Sequence, residues 1–213
     1  MSDQPATVHI IDDDASLLNA LDSLFRSTGL STKLYDSATQ FLERLPESGG
    51  PACIVVDVRM PGVSGLEFQD RLKQLGFDLP IILMTGHGDI PMSVRSMKAG
   101  AVDFLTKPFR DQDMLDAVSE ALRRHGERIS DAEQLDEIRQ RYETLTVRER
   151  QVMEGVVAGR MNKQVAGDLG LSEITIKIHR GSLMRKMEAR SLADLVRMAI
   201  LIGLPAGASN TSV

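Results

Sequence analysis

Short apolar runs and amphipathic stretches alternate along the first 124 residues. The runs include Val8-His9-Ile10-Ile11, Cys53-Ile54-Val55-Val56 and Ile81-Ile82-Leu83-Met84, and between them apolar residues recur at three- and four-residue steps. Continuous runs read as strands covered on both faces, and the longer periodic segments read as the helices that cover them. This predicts strands over 8–11, 32–35, 53–57, 80–85 and 102–106. Helices are predicted over 15–27, 38–45, 65–75, 91–99 and 111–124. The alternation is that of an α/β domain with a doubly wound, five-stranded parallel sheet of order 2-1-3-4-5. Ser37-Ala38-Thr39-Gln40 has the form of a capping box, and Gly29, Gly76 and Gly100 stand where helices should end.

Beyond residue 124 the pattern changes. Leu115, Val118, Leu122, His125, Ile129 and Ala132 keep a seam of alternating steps, which Leu135, Ile138, Tyr142 and Leu145 resume after one shortened step. The segment 125–143 therefore reads as a helical linker with a possible coiled-coil seam. An alternative stops the helix at Gly126 and restarts it at Ser130-Asp131-Ala132-Glu133. The continuous helix is preferred, because one glycine costs only ~1 kcal/mol. From Leu145 the chain reads as all-helical. Thr146-Val147-Arg148-Glu149 opens a helix that ends near Gly159, Asn162 opens a second, Ser172 a third after the Gly170-Leu171 turn, and Ser191 a fourth. The expected organisation is 1–124 as the α/β domain, 125–143 as linker, 144–203 as a four-helix domain and 204–213 as a mobile polar tail.

Composition sharpens this division. Of a total charge of −5, the segment Leu145–Met198 holds ten Lys/Arg against six Asp/Glu, a net of +4 that leaves −9 for the rest. An acidic front and a basic back imply two modules with different partners, the second a candidate nucleic-acid binder. The single cysteine, Cys53, excludes a disulfide framework. No apolar run approaches the ~20 residues of a membrane helix and Met1-Ser2-Asp3-Gln4-Pro5 is no signal peptide, so no membrane association and a soluble cytoplasmic protein are expected.

The chemistry gathers at strand ends. Asp57 closes one apolar run, Asp12 and Asp13 follow another, Thr85 closes a third and Lys107 follows a fourth. In open α/β sheets sites form at the carboxyl ends of the strands. Taken singly, each residue has a bland role as a helix cap, a turn residue or a solvated charge. As a set they assemble carboxylates, a hydroxyl and an ammonium, and three acids in one pocket call for a hard cation such as Mg²⁺. That inventory suits phosphoryl transfer to a carboxylate. In the back half, Asn162-Lys163-Gln164-Val165-Ala166, Gly170-Leu171-Ser172 and Thr175-Ile176-Lys177-Ile178-His179-Arg180 follow helix-turn-helix grammar.

Ile10-Ile11-Asp12-Asp13-Asp14, Asp57-Val58-Arg59-Met60-Pro61-Gly62, Met84-Thr85-Gly86-His87-Gly88-Asp89 and Thr106-Lys107-Pro108-Phe109 resemble the receiver domain of bacterial two-component response regulators. The runs Gly86–Met92 and Met97–Phe104 are closest to the FixJ-like branch. The resemblance implies that Asp57 accepts a phosphoryl group from a sensor histidine kinase. It implies Mg²⁺ held by Asp13, Asp57 and the Arg59 carbonyl, with Asp12 acting through water. Lys107 would contact the phosphoryl group, Thr85 and Phe104 would form a switch pair, and Val94, Lys98 and Asp103 would lie on a homodimer face. Leu145–Arg150 and Lys186–Ser191 are similar to the LuxR/NarL-type DNA-binding domain. That implies Lys177, Ile178 and Gly181 facing bases of double-stranded DNA and Lys163, Thr175, Arg180, Arg185 and Lys186 on phosphates. Gly181 replaces a longer polar side chain common in relatives. The resemblance as a whole implies a non-enzymatic transcription regulator, acting with RNA polymerase, that catalyses only its own phosphorylation and dephosphorylation. An Asp-nucleophile phosphatase is the alternative from another class, but Asp57-Val58-Arg59 lacks the second acid of that motif. None of the four histidines has zinc-site spacing. His9 and His125 suit packing roles, His87 a loop, and His179 packing or a phosphate contact.

Overall fold

The structure is a computed structural model, and it describes residues 5–46, 49–86, 97 and 100–205. Its strands are β1 (Thr7–Ile11), β2 (Ser31–Tyr35), β3 (Ala52–Asp57), β4 (Ile81–Thr85) and β5 (Asp103–Thr106). All pairings are parallel and the order is β2-β1-β3-β4-β5, the doubly wound arrangement expected from the alternating pattern. The helices among the described residues are α1 (Ala15–Ser27), α2 (Ala38–Glu43), α3 (Gly65–Gln74), α4 (Asp111–Glu143), α5 (Val147–Val157), α6 (Asn162–Leu169), α7 (Glu173–Lys186) and α8 (Leu192–Leu201). The predicted helix at 91–99 and the tail 206–213 lie outside the described residues. The chain divides into two compact units between Ser130 and Asp131, inside the segment read as a linker.

The first unit has two cores because strand side chains alternate in direction. Cys53 and Val55 of β3 face a cluster formed with Leu21 and Phe25 of α1 and with Met114, Val118 and Ala121 of α4. Ile54 and Val56 face the opposite cluster, with Phe41 of α2 and Phe68 and Leu72 of α3. β3 is buried along its whole length, so Asp57 at its end is delivered to the sheet edge by an apolar rod. His9 is 1% exposed and lies edge-on to Phe41, with Nδ1 3.1 Å from the Tyr35 hydroxyl. Burial, aided by the nearby Lys33 charge, lowers its pKa to about 4, so it packs as a neutral ring.

α4 passes through Gly126 without interruption, in agreement with the continuous helix preferred from sequence. Part of the coiled-coil seam is used inside each unit, whereas its middle positions are not: Ala132 is exposed and Ile129 and Leu135 are half-buried. Val118 and Leu122 are buried in the first core, and the His125 Nδ1 accepts the Ala52 backbone N–H at 2.9 Å. Ile138 and Leu145 are buried in the core of the second unit, with Tyr142 packed against it. Spacing alone cannot tell a seam for a partner helix from two successive intradomain faces.

The second unit packs α5, α6, α7 and α8 around Val152, Met153, Ile176, Leu183, Met187, Leu195 and Ala199. Thr146 and Glu149 close the expected capping box on α5. Gly170 adopts φ 65°, a left-handed turn that glycine enters without a Cβ penalty, and Ser172 caps α7. The last turns of α4 belong to this core, so the helical module begins before residue 144.

Candidate phosphoacceptor pocket and nucleic-acid interface

β1, β3, β4 and β5 each deliver one element of the first site. Asp12 follows β1 at 1% exposure, Asp57 ends β3 at 5%, and Thr85 ends β4 fully buried. Lys107 follows β5 and places its Nζ 2.8 Å from Asp12 Oδ2 and 2.7 Å from Asp57 Oδ1. One ammonium thus bridges two buried carboxylates. Burial lowers the Lys107 pKa, but hydrogen bonds to Asp12 and Asp57 outweigh it and the net direction is upward. The lysine stays charged.

Backbone donors fix the remaining carboxylate oxygens. Arg59 N–H donates to Asp57 Oδ2 at 2.6 Å, and Asp14 N–H donates to Asp12 Oδ1 at 2.9 Å. Asp14 itself caps α1 by accepting from Ser16 and Leu17. Lys107 is tied to β4 through its own N–H, which donates to the Thr85 carbonyl at 2.7 Å, and the Lys107–Pro108 peptide is cis. Phe104 is half-buried against the α2/α3-side core.

The three-acid cluster expected from sequence is not gathered. Asp13 has an exposed side chain, and no three His, Cys, Asp or Glu side chains among the described residues converge as a ready metal cage. Asp12 is buried against Lys107, whereas Asp13 is exposed. The donor set nevertheless fits a hard divalent cation, because two buried carboxylates share a single ammonium and such a cation often takes only one or two carboxylates.

Gly65 is a site residue that the sequence reading does not single out. A Cβ at this position would stand 2.6 Å from the Asp57 carbonyl oxygen and 3.0 Å from Val58 Cα, so the start of α3 can lie under the acceptor strand only as glycine. The available signal is Ser64-Gly65-Leu66-Glu67, a capping box with both hydrogen bonds formed. Among the switch and dimer residues, Asp103 Oδ1 accepts the Phe104 N–H at 2.7 Å. Val94, Lys98 and His87 lie outside the described residues.

In the second unit α6 and α7 meet through the Gly170 turn in helix-turn-helix form. Lys163, Lys177, Ile178, Gly181 and Arg185 are exposed and Thr175 is half-buried at the first turn of α7. Two expected phosphate contacts are engaged within the protein. Arg180 donates to Asn162 Oδ1 at 3.1 Å, joining α7 to the start of α6. Lys186 is engaged likewise. Its Nζ lies 2.7 Å from Glu149 Oε2 and 3.1 Å from the Thr144 carbonyl, so the ammonium is turned into the module. Glu149 is 4% exposed. Burial pushes its pKa up, but hydrogen bonds from Lys186, Ser182 and Thr146 prevail and hold it at about 2. His179 is half-buried on α7.

Residues 8–119 match the response regulator receiver domain, and residues 143–199 match the luxR family of bacterial regulatory proteins. The chain is 50% identical to Nodulation protein W of Bradyrhizobium diazoefficiens, over 94% of this chain and 88% of the relative. It is 44% identical to Transcriptional regulatory protein FixJ of the same species, covering 92% of this chain and 96% of that one. The chain belongs to the two-component response regulators. Among solved structures, the response regulator StyR aligns with a TM-score of 0.83 at 44% identity, over 92% of this chain and 99% of that one. Full-length FixJ from B. japonicum aligns at 0.58 and 41% identity, over 95% and 98%. A response regulator of this kind works with a histidine kinase and with DNA, its receivers generally use Mg²⁺, and it is a transcriptional regulator rather than a classical enzyme. Among the described residues no helix is long and apolar enough to cross a membrane.

Proposed function

We propose that Asp57 is the phosphoacceptor of this response regulator, and that its phosphorylation drives dimerisation and paired occupancy of DNA half-sites. The observation that carries this reading is the Lys107 ammonium held between Asp12 and Asp57. Asp57 Oδ1, the oxygen that faces Lys107, attacks the phosphorus of a kinase phosphohistidine, forming a P–O bond as the P–N bond breaks and the electron pair returns to the imidazole. Lys107, already within 2.7 Å of Asp57, can follow the new oxygens, and the Arg59 N–H holds the second carboxylate oxygen in place. Asp57, the Arg59 carbonyl and Asp13, with Asp12 through water, would hold Mg²⁺, which when bound supplies further neutralisation of the transferring oxygens.

Phosphorylation adds about −1.5 to −2 charges and three strong acceptors. The Thr85 hydroxyl and the Phe104 ring are the switch that reads this change, and Val94, Lys98 and Asp103 mark the dimer face. Moving a population from 1:99 to 99:1 takes ~5.5 kcal/mol, so phosphate and dimer formation act together. The DNA-binding module then contacts phosphates through Lys163, Thr175, Arg180 and Arg185, and bases through Lys177, Ile178 and Gly181. The regulator acts in the cytoplasm, with RNA polymerase, and activates transcription.

The test is light-scattering mass with Mg²⁺, with and without beryllofluoride, for wild type and Asp57→Asn. A monomer-to-dimer shift in wild type alone is the expected result. Dimers in every sample, or a monomer throughout, would refute phosphorylation-driven dimerisation.

A further inference from the structure

α7 carries more exposed apolar surface than a folding argument explains. Ile176, Leu183 and Met187 are fully buried and complete the face that packs on the module. On the opposite face, Ile174 is 72% and Ile178 67% exposed. The 3.6-residue period aligns Ile174, Ile178, Gly181 and Arg185 in one stripe, with Lys177 at its edge. An amphipathic surface helix places polar residues on such a face. Isoleucine is also a costly choice there, since a β-branched side chain loses χ1 freedom in a helix.

The stripe lies on the second helix of the helix-turn-helix, the element that enters the major groove in this motif. Gly181 has nothing within 4 Å of where a Cβ would stand, so the helix is bare at the third position of the stripe. Ile174, Ile178 and Gly181 offer no side-chain hydrogen bond to a base edge. The one major-groove feature that an aliphatic side chain recognises is the C5-methyl group of thymine. Basic groups flank the stripe: Lys177 with its side chain 65% exposed, Arg185 at the last turn, and Lys163 on α6. That charge pattern fits a polyanionic duplex rather than an apolar protein surface.

We propose that Ile174 and Ile178 form a methyl-reading pair that gives this regulator its preference for thymines in each half-site, with Ile174 a specificity-determining residue. Gly181 permits close approach and contributes no hydrogen-bonded readout. The proposal rests on the DNA-binding reading above and deepens it.

The test uses the full chain with Mg²⁺ and beryllofluoride. Sites are first enriched from a randomised duplex DNA pool. One enriched site is then resynthesised with deoxyuridine replacing thymidine at single positions, which removes only the methyl group. Wild type is expected to lose about four-fold in affinity per critical methyl, the equivalent of unburying one methyl-sized group. Ile174→Ala should abolish that sensitivity at one position and Ile178→Ala at another, with unchanged circular-dichroism melts because both side chains are exposed. Uracil tolerated everywhere by wild type, or a loss that persists in both variants, overturns the methyl-reading pair while leaving DNA binding intact. Failure to enrich any site removes the DNA-binding reading and this proposal together.

Discussion

Replacing Glu149 by glutamine isolates a charge at the centre of the DNA-binding module. The amide side chain keeps nearly the same shape and can still accept the Thr146 N–H, which Glu149 accepts at 2.8 Å. What the variant loses is the ionic partner of Lys186, whose ammonium then retains the Thr144 carbonyl among its described acceptors. The folded-state pKa of Glu149 is about 2 against an ordinary 4.5. That difference corresponds to roughly 3 kcal/mol at neutral pH. Breaking a buried pair by removing one partner costs about 3–5 kcal/mol, and partial exposure of Lys186 places this case at the lower end. Differential scanning calorimetry of the full chain should show the DNA-binding module melting roughly 12–24 °C lower in Glu149→Gln, given about 4–8 °C per kcal/mol for a unit of this size. A depressed carboxylate pKa stabilises only above the unfolded value. The gap between the two proteins should therefore be full above pH 4.5 and close as pH falls from there toward 2. Lys186→Met should destabilise the same transition, and the double variant should cost less than the sum. The reasoning fails if Lys186→Met leaves that transition unmoved and instead lowers the salt dependence of DNA binding by about one counterion, the behaviour of a phosphate contact.

Three further outcomes follow from packing. Gly65→Ala should cost about 1–3 kcal/mol and abolish the beryllofluoride-induced mass shift, because its Cβ would meet the Asp57 carbonyl oxygen at 2.6 Å; an unchanged melt and shift would contradict the close approach. A fragment beginning at Asp131 should resist urea better than one beginning at Thr144 by about 2–5 kcal/mol, since the shorter one lacks the buried Ile138 and the Arg141–Glu188 pair; equal midpoints would place those last turns of α4 outside the core. Cys53 is fully buried with its thiol pKa pushed up to about 12, so iodoacetamide should label it in urea and not in the native protein, and rapid native labelling would mean that β3 opens.

The sheet was legible because β3 and β4 are apolar without interruption and each ends in a polar residue. The helix starts were legible because Ser37, Thr146, Ser172 and Ser191 are capping side chains, and all four accept the backbone hydrogen bonds expected of them. The geometry of the site was only partly so. The sequence placed Asp12, Asp13 and Asp57 at neighbouring strand ends, but a single residue's rotation decides which acid meets Lys107, and residue type carries no signal for that. The seam from Leu115 to Leu145 shows a different ambiguity. Its period is genuine, yet the same spacing serves whichever surface is nearest, and here Val118 and Leu122 serve the first core and Ile138 and Leu145 the second. Lys186 followed the same logic: a lysine late in a basic helix reads as a phosphate contact until Glu149, 37 residues earlier, is found beneath it.

The chain has no tryptophan and two tyrosines. Tyr35 is buried beside His9 and Phe41 in the first unit, whereas Tyr142 lies in the second, with the Arg150 guanidinium 4.9 Å above its ring. Each compact unit therefore carries one intrinsic fluorophore in a distinct electrostatic setting. A Tyr35→Phe or Tyr142→Phe protein would report optically on a single module inside the intact regulator. Events in the receiver and in the DNA-binding module could then be timed separately, with no extrinsic label.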